Sequence, residues 1–245
     1  MSITFSSPPP RPGVDARTVP HAAPAAGPAP TGGRRWPLFG VVGAVTGLAA
    51  SILSIPQLDE EDYSAGPEVI QQLEATNYRI AFVLGLISVG CLLVAAAGWR
   101  RWAEARAPRS LAARLVGQGL AVTATVNVIF SCIAGSMGLY LEGGAEAATG
   151  PNDQGLYVNH IILDFGSLLG WWGAAASAIA VAALAFRSPR LLPRWMGVVS
   201  VLLLLPPVLM ALATSLPGFV GLTMPIWLLA VSIGMVVSRT ADAAA

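Results

Sequence analysis

The stretch from residue 155 to residue 173, GLYVNHIILDFGSLLGWWG, places three ionisable side chains at the head of an apolar run. Tyr157, His160 and Asp164 follow one another at three- and four-residue spacing, and Trp171 lies two helical turns further on. At 100° per residue these side chains, together with Ser167, fall within an arc of about 80° on a helix. The spacing therefore predicts one polar helix face that could bind a solute or handle a proton.

The depth of this face decides its role. A span of about 20 residues centred on the run 157–186 leaves Asp164 just inside the apolar layer. Arg79 lies at the matching level of an earlier run. Because a charge in a low dielectric needs a partner, we expect an ion pair between Asp164 and Arg79. Such a pair is either part of a binding or proton-handling site or a structural pin between two helices.

An amide and two tryptophans form a second candidate site at greater depth. If the third and fourth apolar runs form an antiparallel hairpin, Asn127 comes level with Trp171. Trp171 and Trp172 are too deep for an interfacial aromatic belt. They line a cavity with Asn127, Thr123 and Ser131, or they fill a core in which an indole N–H bonds an amide.

Prolines mark candidate hinges near the end of the chain. Pro206 and Pro207 lie in the middle of the fifth apolar run, and Pro225 lies in the sixth. A proline removes one helical hydrogen bond and frees a carbonyl four residues back, and paired broken helices are typical of transporter sites. We expect these two helices to be interrupted there.

Other site chemistries lack the residues that they need. The chain has two histidines, His21 and His160, and two cysteines, Cys91 and Cys132, at no metal-binding spacing. We expect no metal and no cofactor. The arginines form no stripe of the kind that binds nucleic acid, so no nucleic-acid partner is expected. No catalytic motif is present, so enzymatic activity is uncertain, and a non-enzyme is favoured.

Composition favours a bilayer over water as the solvent. Of the 245 residues, 55% are hydrophobic and 11% are charged. Six apolar runs are each long enough to cross a hydrocarbon core of about 30 Å as a helix, and none shows the alternation of a barrel strand. The sequence predicts an all-α membrane protein, a bundle of six transmembrane helices within residues 36–240. The predicted helices cover 38–56, 78–98, 115–141, 157–186, 195–215 and 218–237.

Arginine placement predicts the orientation. All fourteen basic residues are arginine, and all but Arg79 lie before the first run, after the second, after the fourth or at the C-terminus, whereas the alternate loops are acidic. Four tryptophans at the arginine-bearing edge, Trp36, Trp99, Trp102 and Trp195, suggest an aromatic belt there. Both termini are predicted to be cytoplasmic. Residues 1–35 hold eight prolines and are predicted to be a disordered cytoplasmic tail.

The segment from Phe186 to Ser238 resembles a family of uncharacterised bacterial multi-pass membrane proteins, a domain of unknown function. That family carries a loop of the form SRLLPRWLG before its penultimate helix and a proline in its last helix. The resemblance implies a bacterial inner-membrane protein and implies no activity. The matching residues are Ser188, Arg190, Leu191, Pro193, Arg194, Trp195, Gly197, Pro225 and Trp227.

Three functions remain open from the sequence. The first is binding or transport of a small apolar or amphipathic ligand through the polar face near the outer leaflet. The second is a non-catalytic accessory role beside a membrane subunit partner, with anionic lipids at the cytoplasmic arginine loops. The third is an intramembrane enzyme on a lipophilic substrate, with Asp164 as general acid and His160 beside it. The expected location is the bacterial cell membrane.

Overall fold

The structure, a computed structural model, describes residues 35–55, 66–188 and 191–244, with the side chains of the last helix described as far as Ser238. These residues form seven α-helices and two short 3-10 helices, and they contain no strand. The predicted all-α class is confirmed. The predicted tail up to residue 34, the acidic residues 59–62 and Arg190 lie outside the described residues.

The helices follow the predicted order, except that the fourth predicted span forms two helices, Asp153–Leu169 and Trp172–Arg187. Two 3-10 helices, Pro67–Gln72 and Pro217–Phe219, precede the second and the last α-helix. The bounds of the α-helices are α1 Trp36–Ser54, α2 Ala75–Arg106, α3 Leu111–Tyr140, α4 Asp153–Leu169, α5 Trp172–Arg187, α6 Arg194–Thr214 and α7 Val220–Ala244.

Six segments of the described chain are long and apolar enough to cross a membrane. Helices α4 and α5 together make one of them, Asp153–Arg187, of 35 residues. Large apolar side chains lie exposed around the bundle, as on a surface that faces lipid. On α6 alone they are Val198, Val201, Leu202, Leu205, Leu209 and Leu212. These features indicate a multi-pass membrane protein.

The fourth span is broken at its centre. The Trp171 N–H donates to the carbonyl of Leu168, three residues back, at 3.4 Å, whereas a regular helix would use the carbonyl of Ser167. The Ser167 carbonyl accepts instead from the Ser51 hydroxyl of α1 at 3.4 Å. Gly170 closes α4, and a Cβ there would overlap the Asn127 side chain of α3. The break thus forms where α4 meets two other helices.

The prolines do not interrupt their helices. α6 continues through Pro206 and Pro207, and α7 continues through Pro225. The expected interruption of these two helices is therefore wrong, and the role of the prolines as hinges stays a prediction. A proline removes only one N–H from the ladder, and membrane helices tolerate the freed carbonyl when the neighbouring structure supports the backbone.

Small residues set the distance between α3 and the fourth span. Gly166 faces the Phe130 ring of α3, and a Cβ on Gly119 of α3 would overlap the backbone of Gly173. The Ser177 hydroxyl donates to the Val116 carbonyl at 2.9 Å. These small residues allow α3 to approach α4 and α5 closely.

Tryptophans join α1, α2 and α3 at the arginine-bearing end. The Trp36 and Trp99 rings meet edge to face at 5.9 Å, and the Trp99 and Trp102 centroids lie 5.1 Å apart. The Trp99 indole donates to the Ala113 carbonyl at 3.0 Å. Trp99 and Trp102 are buried, so the expected aromatic belt is wrong for both, whereas Trp195 is exposed.

Candidate functional site

The polar side of α4 faces into the bundle. His160 and Ser167 are buried and Asp164 is half-buried, while the neighbouring Ile161 and Phe165 are exposed. The helix begins at its Asn152 cap, whose side chain accepts from the Gly155 N–H at 3.1 Å. The predicted polar face is therefore present, with Tyr157 half-buried at its outer end.

Asp164 lies in an ionisable cluster with two other residues. Its carboxyl interacts electrostatically with the Tyr78 hydroxyl of α2 and with the His160 imidazole. The Tyr157 and His160 ring centroids are 6.3 Å apart. The Tyr78 hydroxyl and His160 Nδ1 are buried without a hydrogen-bond partner. A hydrogen-bonding ligand or water would satisfy these two atoms.

Arg79 does not make the expected ion pair. Its Nε donates to the Gly138 carbonyl at 3.0 Å, and one terminal nitrogen donates to the Gly143 carbonyl at 2.8 Å. The guanidinium is thus bound by carbonyls at the end of α3 and in the loop after it, and not by the Asp164 carboxyl. The residue of α2 that comes near Asp164 is the preceding one, Tyr78, which we did not single out from the sequence. The sequence marks Tyr78 only by its position at the start of the second apolar run.

A small cavity lies one turn deeper, beside the break. Its volume is about 30 Å³, and its walls come from α1, α2, α3 and α4. The apolar part of the wall includes Phe130 and Leu163. The polar side chains around it are Ser51, Ser54, Ser88, Asn127, Ser131 and Ser167. Among them, Ser51, Ser54 and Ser88 were not singled out, because isolated serines in apolar runs give no pattern, whereas Ser167 belongs to the predicted polar face.

Four of these hydroxyls donate hydrogen bonds to helix carbonyls. Each therefore keeps oxygen lone pairs with which it can accept. The donors are Ser51, Ser54, Ser88 and Ser131, and their acceptors are the carbonyls of Ser167, Ala50, Gly43 and Asn127 at 3.4, 2.8, 2.7 and 2.8 Å.

Ser167 differs from the other four serines. Its side chain is 7% exposed, and its hydroxyl has no hydrogen-bond partner. Leaving a buried hydroxyl unsatisfied costs about 1–3 kcal/mol. The cavity beside it is large enough for about one or two particles of the size of water. This hydroxyl therefore has room for a polar occupant.

The two tryptophans fill the core next to the cavity. Trp171 is 0% exposed, and its ring lies against Gly47 of α1. Its indole N–H has no partner, whereas the Trp172 indole donates to the Pro217 carbonyl at 3.2 Å. Asn127 and Ser131 line the cavity, but Thr123 does not. The structure thus brings together only part of the second candidate site.

The other predicted site residues lie elsewhere. Pro206, Pro207 and Pro225 belong to α6 and α7, which contribute no wall to this cavity. Among the described residues, no three His, Cys, Asp or Glu side chains are grouped as they would be to hold a metal ion. Any ligand of the cavity would be bound mainly by hydroxyl and amide oxygens.

Comparison with protein-family models, with curated proteins and with solved structures finds no match for this chain. The similarity of residues 186–238 to the family with the SRLLPRWLG loop therefore stays a resemblance. The function of the site has to be argued from its own geometry.

Proposed function

We propose that this chain is a transport protein of the bacterial cell membrane that binds a small monovalent cation in the cavity beside the break in the fourth span. Both termini lie in the cytoplasm, on the side of the arginine clusters. The observation that carries the proposal is the buried, unpartnered Ser167 hydroxyl facing a cavity of about 30 Å³.

The lining of the cavity favours a cation. The hydroxyls of Ser51, Ser88 and Ser131 donate hydrogen bonds to helix carbonyls, so their oxygen lone pairs are left for the cavity. Oxygen atoms are the ligands that hard cations prefer. The C-terminal end of α4, where the helix dipole is negative, lies at Gly170 beside Asn127. Interrupted membrane helices commonly provide such ends for sodium ions or protons.

The size of the cavity limits what it can hold. A volume of about 30 Å³ accommodates a dehydrated ion or a water molecule but no organic molecule. This favours an ion over the apolar or amphipathic ligand considered from the sequence. Asp164 lies one turn before Ser167 on α4, outside the cavity wall, and is the nearest acidic residue along this helix to supply the negative charge that a buried cation requires.

The polar face of α4 supplies a path. His160, Asp164 and Ser167 lie at successive turns, over about 10 Å of helix. His160 Nδ1 and the Ser167 hydroxyl have no protein partner, so both are free to contact water or an ion. We infer that the cation enters from the acidic end of the bundle and reaches the cavity along this face.

The first test is cation-dependent stability of the purified protein in lipid nanodiscs. Unfolding is measured in sodium, potassium, lithium and choline chloride at equal ionic strength. A cation at about 100 times its dissociation constant stabilises the folded state by about 2.7 kcal/mol. We expect one of the small cations, but not choline, to raise the unfolding temperature of the wild type.

Ser167→Ala and Asp164→Asn should remove this cation-dependent stabilisation. Ser136→Ala is the matched control, because its hydroxyl bonds the Ile133 carbonyl of its own helix and does not line the cavity. Equal unfolding temperatures in choline and in all three small cations would mean that the cavity holds water only. Uptake of the stabilising cation into proteoliposomes then tests transport, and binding without uptake would contradict a transporter.

A further inference from the structure

A second polar cavity lies at the arginine-bearing end, between α2 and α3. This cleft has a volume of about 300 Å³, ten times that of the cavity beside Ser167. The side chains that line it are exposed and carry a charge or an amide, except for that of the buried Ala103. The lining residues are Arg100, Ala103, Glu104, Arg114 and Gln118.

The cleft is held in shape by backbone contacts. Trp99, next to Arg100, donates its indole N–H to the Ala113 carbonyl, next to Arg114, at 3.0 Å. Gly117 lets the two helices approach, since a Cβ there would lie 3.1 Å from the Ala96 carbonyl oxygen. The side chains of the two arginines therefore extend from backbone positions at a fixed separation.

The guanidinium groups have unused donors. Arg114 donates one terminal nitrogen to the Pro108 carbonyl at 2.8 Å, and its other N–H groups remain available. Neither Arg100 nor Arg114 forms an ion pair with another described residue. With Glu104 the cleft carries a formal charge of +1, from two arginines and one glutamate. A single phosphodiester, with charge −1, complements it.

The helix surfaces beside the cleft are apolar and exposed. On α2, Leu93 lies seven residues before Arg100, on the same face, and is exposed. On α3, Leu115 and Val122 flank Gln118 and are also exposed. A molecule with a phosphate head and acyl chains fits both surfaces at once, whereas a free phosphate would use only the cleft.

We propose that this cleft binds the headgroup of an anionic phospholipid with a hydroxylated headgroup, such as phosphatidylglycerol. The phosphodiester accepts hydrogen bonds from Arg100 and Arg114. Glu104 accepts from the headgroup hydroxyls, and Gln118 donates to them. The acyl chains lie along the apolar faces of α2 and α3. This site is independent of the cation site beside Ser167.

Native mass spectrometry of the delipidated full-length protein tests the proposal. The protein is titrated with phosphatidylglycerol, phosphatidylethanolamine and phosphatidylcholine. We expect one phosphatidylglycerol to bind more tightly than the other two lipids. Arg100→Gln and Arg114→Gln together should weaken its binding at least about tenfold, because charge-assisted hydrogen bonds are lost.

Arg101→Gln is the matched control, since Arg101 is exposed on the same turn of α2 but does not line the cleft. It should change binding by less than about twofold. An equal loss in the control would show attraction to overall charge and overturn the site. Equal binding of phosphatidylcholine, or complete displacement of the lipid by millimolar inorganic phosphate, would also overturn it.

Discussion

Two glycines of the bundle differ in what lies next to them. A Cβ on Gly119 would overlap the Gly173 carbonyl and the Ser177 hydroxyl, whereas a Cβ on Gly90 would have no atom within 4 Å. Gly119 lies in the contact between α3 and α5, and Gly90 is on the exposed face of α2. Of these two glycines, only Gly119 therefore serves a close contact between helices.

Gly119→Ala and Gly90→Ala should change stability in opposite directions. Alanine favours a helix over glycine by about 1 kcal/mol, so Gly90→Ala should be neutral or stabilising. Gly119→Ala forces α3 and α5 apart and should lower the free energy of unfolding by about 1–3 kcal/mol. Chemical unfolding in detergent measures both. Equal effects of the two substitutions would contradict the close packing at Gly119.

The α4 face was predictable to the residue, and its partner was not. The spacing of His160, Asp164 and Ser167 specifies a helix face, because helical geometry fixes relative directions. Arg79 was expected opposite because it is charged. Adjacent residues on a helix point about 100° apart, so Arg79 reaches the carbonyls of α3 while Tyr78 comes near Asp164. Free backbone carbonyls leave no trace in a side-chain pattern.

At the scale of the helices, the break in the fourth span shows the limit of local rules. Proline is the residue expected to break a helix, yet Pro206 and Pro225 lie inside continuous helices. The break is at Gly170, where the Asn127 side chain and the Ser51 hydroxyl meet α4. Tertiary contacts determine its position, so the sequence predicts the six spans but not the interruption.

The end of α6 offers a test of backbone strain. Ser215 caps α6 with φ 56° and ψ 23°, in the left-handed region that favours glycine. Ser215→Gly should raise the free energy of unfolding by about 1 kcal/mol. Ser188 is the control, because it caps α5 with φ −137°. Glycine at Ser188 should bring no gain, and a gain of equal size there would contradict a specific effect at Ser215.

At the scale of the whole molecule, the number of spans fixes the relation of the termini. If all six candidate spans cross the membrane, both ends of the bundle lie on one side of it. Arg35, before α1, favours the cytoplasmic side for these ends, and Arg194, at the start of α6, belongs to the same predicted side. The loop between α3 and α4 carries Glu142 and Glu146 and is predicted to lie on the opposite side.

Reporter fusions test this orientation. Green fluorescent protein after Ala245 should fluoresce, and alkaline phosphatase inserted at Glu146 should be active, because the first folds in the cytoplasm and the second needs an oxidising compartment. Reversed results at both positions would contradict the arginine argument. The same activity at both positions would contradict six spans.

The turn at Gly170 and Trp171 also bears on how such a chain can change over generations. One residue inserted into an unbroken helix rotates everything beyond it by about 100° and shifts it by about 1.5 Å. In the fourth span the hydrogen-bond ladder is already interrupted between α4 and α5. Insertions and deletions at this turn need not carry a rotation from one half to the other. The half before this turn, which lines the polar cavity, and the half after it can therefore diverge separately.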